Sequence, residues 1–337
     1  MSAAVWTGPD VIDVVDVDVP RRGPGEVLIE VERVGICGTD LAILHGAHPR
    51  AASGLIPGHE IVGVVAEADP DGPAVGTRVA VEPLLSCGKC RACLTGSTHV
   101  CSRLGLYGID VPGGLARYVT LPAAVLHEVP AEVPVDAAAL VEPLAVAVHA
   151  VRLAEVAEGD VVAIYGAGPI GVLVAMVAQH VGAAHVVIVE PHEWRRGVAD
   201  TLGFQGVANT DELIEVMKPI TGGEGADVTF DSAGHPAVAA DLAEVTRVLG
   251  TIAMVAVHKR PAEVDLRALC FKEQRMVGVR VYTTQDFADA IAMIAGDLDL
   301  SAFPIAHFGL GAVQEAFSAA AEGSDALKVL VSTGGSQ

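Results

Sequence analysis

The feature that most constrains the fold is a glycine-rich turn between an apolar strand and a helix. The strand pattern Val161–Tyr165 is followed by a G-x-G-x-x-G run of Gly166, Ala167, Gly168, Pro169, Ile170 and Gly171. Gly166 permits a tight turn, Gly168 lets the backbone approach a pyrophosphate, and Gly171 lets the helix pack closely on the strand. The helix N-terminus then presents free amides to phosphate groups. This turn predicts a dinucleotide-binding fold.

The rest of the second half supports that fold, because apolar strands alternate with stretches of helical length. The predicted strands are Val161–Tyr165, Val186–Glu190, Gly206–Asn209, Val228–Asp231, Thr251–Val257 and Met276–Val281. Crossovers such as Pro169–Val181 separate most of them. Six strands joined in this way predict an α/β fold with a doubly wound parallel sheet.

An acidic residue at the end of the second strand indicates the type of dinucleotide. Glu190 follows Gly171 by nineteen residues, where a carboxylate would bind the hydroxyls of the adenosine ribose. A carboxylate at that place repels a 2′-phosphate, so we predict NAD rather than NADP. Arg195 lies close enough in sequence to contact the same end of the cofactor, and it leaves some room for NADP.

The first third of the chain has a different pattern. Short apolar or alternating runs such as Val27–Val34 and Ile61–Ala68 are separated by clusters of Gly and Pro. This pattern predicts a small β-barrel or sandwich that carries loops. The C-terminal stretch returns to helices, Phe287–Ala295 and Val313–Ala321, and ends in a strand, Lys328–Val331.

Four cysteines near residue 90 have the spacing of metal ligands. The motif C-x2-C-x2-C-x7-C comprises Cys87, Cys90, Cys93 and Cys101. Four thiolates so close in sequence suit one tetrahedral zinc with no open position, which is a structural site. The lobe that they define covers about residues 84–104.

Length and charge exclude several classes of protein. The chain has 337 residues and a net charge of −21, which suits two domains with a soluble, self-repelling surface. Scattered basic residues argue against binding of nucleic acid or an anionic membrane. The first residues lack the pattern of a secretory signal, and six cysteines in a chain this long do not indicate a disulfide framework. We therefore predict a cytoplasmic protein.

A second set of possible metal ligands lies outside the cysteine lobe. A catalytic zinc takes about three Cys, His or carboxylate ligands and keeps one position open. Cys37 and His59, together with Glu60 or Glu142, would supply them. These residues are far apart in sequence, so spacing alone leaves this site open.

Taken together, the motifs resemble those of the zinc-containing medium-chain dehydrogenases/reductases, the alcohol dehydrogenase superfamily, over essentially the whole chain. The anchors, all in family order, are Cys37-Gly38-Thr39-Asp40, Gly58-His59-Glu60-x-x-Gly63, the four-cysteine lobe, Glu142-Pro143-Leu144 and the glycine turn. The run Glu142 to His149 is similar to the sorbitol, butanediol and threonine dehydrogenase branch. The resemblance implies a GroES-like β-rich catalytic domain beside the Rossmann domain.

The resemblance also implies roles for individual residues at the metal. Cys37 and His59 are implied to bind the catalytic zinc, and Glu142 to lie at the metal directly or through water. Glu60 is implied to be a ligand in some members and to lie behind the ligands in others. Asp40 is implied to orient His59.

The implied proton relay is incomplete. Thr39 is at the hydroxyl position of the relay, but the histidine that many relatives carry five residues after the first cysteine ligand is Ala42 here. His45 is our predicted substitute, with His48 as a second candidate. Further cofactor contacts are implied for the strand ends, at Ser232, Val255, Val257, Val279 and Arg280.

The predicted protein is thus a zinc- and NAD-dependent dehydrogenase that converts a secondary alcohol, of diol, polyol or cyclitol type, to a ketone. Alternatives are a biosynthetic dehydrogenase of an amino-cyclitol, amino-sugar or threonine-like substrate, and a non-catalytic NAD- and zinc-binding redox protein. The catalytic domain is expected over 1–148 and 286–337, and the Rossmann domain over 149–285. Two zinc ions per chain and a homo-oligomer, tetramer or dimer, complete the prediction.

Overall fold

The computed structural model describes residues 1–323 and 325–334. The chain divides into two compact units, which we propose as the two domains. Unit 1 consists of Met1–Glu142 and Thr283–Gln337, and unit 2 consists of Pro143–Tyr282. Within the described residues, no helix has the length and apolar character needed to cross a membrane.

The helices and strands follow in chain order. The first are β1 (Ser2–Gly8), β2 (Val11–Asp16), β3 (Glu26–Ile36), α1 (Gly38–Leu44), β4 (Glu60–Glu67), β5 (Arg78–Val81), β6 (Leu84–Leu85), α2 (Arg91–Leu94), β7 (Gly105–Leu106), β8 (Tyr118–Pro122), β9 (Leu126–Glu128), α3 (Val135–Ala138) and α4 (Val141–Ala154). Next come β10 (Val161–Tyr165), α5 (Pro169–His180), β11 (His185–Val189), α6 (Glu193–Thr201), β12 (Gln205–Val207), α7 (Thr210–Thr221), β13 (Ala226–Asp231), α8 (Pro236–Val245), β14 (Thr246–Met254), α9 (Leu266–Phe271) and β15 (Arg275–Gly278). The last are α10 (Thr284–Ala295), β16 (Ile305–Gly309), α11 (Val313–Glu322) and β17 (Lys328–Ser332).

Unit 1 is built around the long strand β3. Its described residues form a sheet in the order β16-β17-β3-β4-β5-β9, with β8 also pairing with β3. Apolar side chains of β3 such as Val27, Ile29 and Val31 are buried and join the core of this unit. In the register of this sheet, Gly35 of β3 lies opposite Glu60 of β4 on one side and opposite Leu330 of β17 on the other. The beginnings of β4 and β17 therefore flank the end of β3.

Unit 2 has the predicted doubly wound sheet. Its described residues form the parallel order β12-β11-β10-β13-β14-β15. This order corresponds to 3-2-1-4-5-6, that of the Rossmann fold. The central strand β10 is buried along its whole length, as expected for a strand covered by helices on both faces. The predicted fold class is confirmed.

Two strands of this sheet end earlier than the sequence predicts. β14 covers Thr246–Met254 rather than Thr251–Val257, and β15 ends at Gly278 rather than at Val281. After β14 the amides of residues 255 and 256 turn back to the carbonyl of Asp231. Val281 has a φ of 42°, which breaks the extended backbone. Apolar residues continue beyond the end of both strands, but the hydrogen-bonded pairing with the neighbouring strand stops there. The predicted strands were therefore too long at their C-terminal ends.

A buried carboxylate joins two loops at the carboxyl edge of this sheet. Asp231 Oδ1 accepts hydrogen bonds from the amides of Ala233 at 3.0 Å and Gly234 at 2.8 Å. Asp231 Oδ2 lies 2.7 Å from His258 Nε2, which donates to it. The loop after β13 and the loop after β14 are thus held by one side chain.

We expect Asp231→Ala to lower the free energy of unfolding by about 3 kcal/mol, because buried amides and an imidazole lose their acceptor. Urea denaturation followed by circular dichroism measures this change. Asp71→Ala is the matched control, since Asp71 is exposed and its loss should change the free energy by less than about 0.5 kcal/mol. Equal effects of the two substitutions would contradict the role of Asp231.

Candidate metal and cofactor sites

Three predicted ligands of the catalytic metal meet in unit 1. Cys37 follows β3 and begins α1, His59 precedes β4, and Glu60 is the first residue of that strand. One ligand atom from each of these residues lies within 4.8 Å of the other two. A thiolate, an imidazole and a carboxylate form a donor set that suits zinc. Glu60 Oε2 is buried, and the ammonium of Lys328 is in ionic contact with it.

Glu142, the alternative carboxylate, is not a member of this group of three. It is buried in the first turn of α4. Its charge is nevertheless close enough to raise the pKa of Lys328. By distance the structure brings Glu60 to Cys37 and His59, and the role of Glu142 remains a prediction.

Asp40 connects the two segments that carry the ligands. Its Oδ2 accepts a hydrogen bond from the Cys37 amide at 2.9 Å, and its Oδ1 accepts one from the Gly58 amide at 3.2 Å. His59 Nδ1 lies 3.5 Å from Oδ1, a distance of ionic contact that is too long for a well-formed hydrogen bond. Asp40 is fully buried, and each of its oxygens is engaged.

The charges at this site shift the pKa values of His59 and Asp40 in opposite directions. Burial alone would lower the pKa of His59, but Asp40 and Cys37 outweigh it and hold that pKa well above its ordinary value. Burial alone would raise the pKa of Asp40, yet His59 and the Cys37 amide lower it on balance. Without a metal, the site therefore favours a charged pair. A metal takes neutral imidazole, so binding would displace the proton from His59.

Lys328 is a member of this site that the sequence analysis did not identify. Its Nζ donates to Glu60 Oε1 and is in ionic contact with Oε2. Both side chains are almost fully buried, with exposed fractions of 3% and 1%. Burial lowers the pKa of Lys328, but Glu60, Cys37 and Glu142 reverse that effect and raise it. The only sequence feature that could have indicated its role is that a lysine begins an otherwise apolar strand.

The predicted relay residues have different surroundings. Thr39 lies in the first turn of α1 and is half-buried, two residues from Cys37. His45 Nδ1 is 2.6 Å from Asp10 Oδ1, and 55% of its side chain is exposed. This contact ties His45 to the turn after β1. The role of His45 in the relay remains a prediction, and this contact gives it no support.

The four cysteines form the second candidate metal site. Sulfur atoms of Cys87, Cys90, Cys93 and Cys101 all lie within 4.8 Å of one another. Backbone amides at Cys93 and Ser102 lower the pKa of Cys90 to about 5, which favours the thiolate that zinc requires. Burial and the neighbouring thiols raise the pKa of Cys93 to about 11, so binding of a metal would have to displace the proton of that thiol. The short antiparallel pair of β6 and β7 closes the lobe at its base. The group could hold zinc with four protein ligands and no open position.

The glycine turn has the geometry that its sequence requires. Gly166 has a φ of 100°, a conformation that favours glycine. A Cβ on Gly171 would lie 1.9 Å from the Gly166 carbonyl oxygen, so close packing of α5 excludes any side chain there. A Cβ on Gly168 would meet nothing within 4 Å, which leaves space for a phosphate. Pro169 and Ile170 begin α5, where their contacts to a pyrophosphate remain predicted.

Glu190 contacts the glycine turn directly. Its Oε2 accepts a hydrogen bond from the Ala167 amide at 2.9 Å, and its Oε1 accepts one from the His192 amide at 2.9 Å. Arg196 donates to the carbonyls of Glu190 and Pro191. The carboxylate predicted to bind the ribose is therefore fixed in place by the backbone on both sides.

The other predicted cofactor residues lie near the ends of the central strands. Ser232 Oγ donates to the Tyr165 carbonyl at 2.7 Å, which connects β13 to the end of β10. Arg195 Nε is buried and makes no hydrogen bond to a described residue. The remaining positions follow β14 or β15 and comprise Val255, Val257, Val279 and Arg280. Their contacts with a cofactor remain predictions.

We expect Asp40→Asn to weaken zinc binding about 10- to 100-fold, the usual effect of losing a residue that orients a metal ligand. The amide has one acceptor oxygen, so Cys37 or Gly58 loses its partner, and His59 loses a negative neighbour. Competition with a chromogenic chelator measures the affinity. Asp10→Asn, which changes the partner of His45 instead, is the matched control and should leave zinc affinity unchanged.

The sequence matches two family models. Residues 23–131 match the alcohol dehydrogenase GroES-like domain, and residues 169–296 match the zinc-binding dehydrogenase model. The chain is 40% identical to a 2-dehydro-3-deoxy-L-galactonate 5-dehydrogenase of Pseudoalteromonas atlantica, over 98% of each chain. It is 34% identical to an L-threonine 3-dehydrogenase of Deinococcus deserti, over 97% of this chain and 96% of that relative.

Solved structures agree with the sequence matches. A structure described as a short chain alcohol dehydrogenase from Escherichia coli CFT073, in complex with NADH, aligns with a TM-score of 0.91 and 26% identity. The alignment covers 98% of this chain and 99% of that one. The chain therefore belongs to the zinc-type medium-chain alcohol dehydrogenases, oxidoreductases with a GroES-like domain and a Rossmann domain.

Proposed function

We propose that the protein is a zinc-dependent, NAD-linked dehydrogenase that interconverts a secondary alcohol and its ketone. The observation that carries the proposal is the convergence of Cys37, His59 and Glu60 within 4.8 Å in a chain that also has an intact glycine turn. A non-catalytic zinc protein needs no mixed thiolate, imidazole and carboxylate group beside its four-cysteine site. The presence of this second group of ligands therefore disfavours the alternative of a non-catalytic NAD- and zinc-binding redox protein.

The residues of unit 1 would perform separate tasks in this reaction. Cys37 and His59 would hold the metal, with Asp40 fixing both of their segments. The chemistry that a bound zinc supplies is Lewis acidity toward a hydroxyl or carbonyl oxygen. Thr39 Oγ1 would accept the proton of the substrate hydroxyl and release it toward solvent. A bound nicotinamide would supply the acceptor for the hydride of the carbon that carries the substrate hydroxyl.

The residues of unit 2 would select and hold NAD. The open space beside Gly168 and the free amides at the start of α5 suit a pyrophosphate. Glu190 supplies a fixed negative charge where the adenosine ribose would lie, which disfavours a 2′-phosphate. Similar structures have been solved with NADH and with NADP, so the choice of NAD rests on Glu190.

The substrate that we propose is a polyhydroxylated secondary alcohol. The relative with 40% identity is named for 2-dehydro-3-deoxy-L-galactonate, a sugar acid, and the relative with 34% identity for L-threonine. Both names describe a secondary alcohol in a molecule with a carboxylate. Sugar acids are therefore the first substrates to examine, and threonine-like molecules are the second candidate class.

A substrate panel with NAD tests this function. Formation of NADH, followed by its absorbance, is expected with at least one sugar acid, diol, polyol, cyclitol or threonine-like alcohol. Metal analysis is expected to find about two zinc ions per chain. Cys37→Ser should keep the fold but lower turnover at least about 100-fold, because it removes a metal ligand.

The control for the Cys37 variant is Cys270→Ser, which changes an exposed thiol on α9 and should leave turnover unchanged. Full activity of Cys37→Ser would exclude the metal mechanism. An active enzyme without zinc would lead to the same conclusion, because the proposed reaction depends on the metal ligands.

We expect Glu190→Gln to reduce the preference for NAD over NADP about ten-fold, equivalent to about 1.4 kcal/mol. The substitution removes the charge that repels a 2′-phosphate but preserves the size of the side chain. Isothermal titration calorimetry with both cofactors gives the two dissociation constants. Glu193→Gln is the matched control, since Glu193 is an exposed acid in the first turn of α6. An unchanged ratio in Glu190→Gln would show that another group selects the cofactor.

A further inference from the structure

An arginine lies on the loop between α1 and β4, which leads to the proposed metal ligand His59. Arg50 donates a hydrogen bond from Nη1 to the Leu104 carbonyl at 2.5 Å. Its Nη2 lies 3.4 Å from Asp110 Oδ2. The guanidinium therefore joins this loop to a second segment of unit 1, residues 104–114.

The 104–114 segment packs directly on the residue before His59. The Gly114 amide donates to the Gly58 carbonyl at 2.9 Å. A Cβ on Gly108 would lie 2.5 Å from the same oxygen, so the two backbones touch where no side chain fits. Arg50 is anchored to this segment, and it is therefore held close to the metal ligand.

The charge of Arg50 acts at the edge of the metal site. Burial lowers the pKa of His48, and the positive charge of Arg50 lowers it further. Asp40 and His59 act on the same imidazole in opposite directions, because Asp40 raises its pKa and His59 lowers it. One side chain is thus within electrostatic range of both Arg50 and the metal ligand, which agrees with the packing through Gly58.

Much of the Arg50 guanidinium is available to a ligand. The side chain is 42% exposed. A guanidinium has five N–H donors, and one of them makes a hydrogen bond within the described part of the chain. The contact with Asp110 is ionic, because 3.4 Å is too long for a well-formed hydrogen bond. Asp110 Oδ2 also accepts the Leu106 amide at 2.8 Å. Arg50 therefore keeps donors, and part of its charge, for another partner.

We propose that Arg50 binds the carboxylate of the substrate and so selects hydroxy acids over alcohols that lack a carboxylate. This inference rests on the proposed function, because it needs a substrate hydroxyl at the metal of Cys37 and His59. A guanidinium matches a carboxylate in two parallel hydrogen bonds, and this pairing fixes orientation as well as charge. The chain has a net charge of −21, which repels organic anions, so a fixed cation beside the site offsets that repulsion locally.

A purely structural role for Arg50 predicts a different result. If Arg50 only joins its loop to the 104–114 segment, its loss should weaken the binding of acids and of alcohols without a carboxylate to the same extent. Loss of Asp110, the other half of the ionic contact, should then have the same effect. If Arg50 binds the carboxylate, its loss should weaken the binding of acids alone. The ratio of the two affinities therefore separates the two roles.

The test compares acids with the matched alcohols in which CH2OH replaces the carboxylate. The pairs are D-galactonate with galactitol, D-gluconate with D-glucitol, and L-threonine with L-threoninol. Zinc-loaded, full-length enzyme is titrated with each compound by isothermal titration calorimetry in the presence of NADH, which cannot accept hydride. Affinity is thus measured without turnover, and the formation of NADH from NAD is followed separately with the same compounds.

Arg50→Gln is expected to weaken binding of the acid at least about ten-fold, the usual loss for a hydrogen bond to a charged group. The affinity for the matched alcohol should change less than about two-fold. Arg50→Lys keeps the charge without the planar fork and should recover part of the loss. Asp110→Asn should bind the acid at least as tightly as the wild-type enzyme. Arg117→Gln is the matched control, since Arg117 is also half-exposed and in ionic contact with a carboxylate, and it should change neither affinity.

Equal losses for acid and alcohol in Arg50→Gln, or the same loss in Asp110→Asn, would overturn the proposal. A wild-type enzyme that binds or oxidises the alcohols as well as the acids would also overturn it. If Arg50→Gln does not fold, as judged by circular dichroism, the ratio of acid to alcohol affinity in Arg50→Lys decides, and an unchanged ratio there contradicts the inference. An enzyme that neither binds nor oxidises any compound of these pairs or of the wider substrate panel would instead refute the proposed function.

Discussion

The hydrogen bonds from the Cys37 and Gly58 amides to Asp40 are the interaction on which the metal site depends. These two segments are separated in sequence, and one buried carboxylate holds both. A buried charge is costly unless hydrogen bonds and an opposite charge compensate it. Here two amides and His59 provide that compensation, so the orienting residue and the ligands stabilise one another. The distance between the thiol and the imidazole is fixed before any metal arrives.

Unit 2 uses the same device at its carboxyl edge. Asp231 accepts amides from the loop after β13 and an imidazole from the loop after β14. Glu190 joins the glycine turn to the start of α6. In each case a carboxylate replaces the ladder hydrogen bonds that a strand loses where it ends. Loops that would otherwise move are thereby pre-organised, which lowers the entropic cost of ordering them on a ligand.

Much of the fold could be predicted from the sequence, because strong local patterns carry it. The glycine turn, the strand β10 and the four-cysteine lobe each have residues whose spacing has few structural interpretations. The ends of β14 and β15 were misplaced because apolar residues continue beyond the last ladder bond, and periodicity does not record pairing. The domain boundaries and the individual site residues remain predictions.

The contact of Lys328 with Glu60 could not be predicted from the sequence, because it depends on the register in which the strands pair. Only the pairing of β3 with both β4 and β17 brings residues 268 positions apart into one ion pair. The same limit applies to Asp231, whose partner His258 lies on the loop after the next strand. Local patterns identify residues that act within one segment. Contacts between segments require the topology, and the carboxylates that organise both units act mostly in this way.

The closed base of the cysteine lobe has a consequence for how this chain can vary. β6 and β7 pair in antiparallel fashion, Leu84 with Leu106 and Leu85 with Gly105. The two ends of the lobe are therefore adjacent. An insertion whose two ends already meet imposes no length on the rest of the chain. The lobe is therefore a module. A change in its length should leave the pairing of β3 with β4, the strands next to Cys37 and His59, intact.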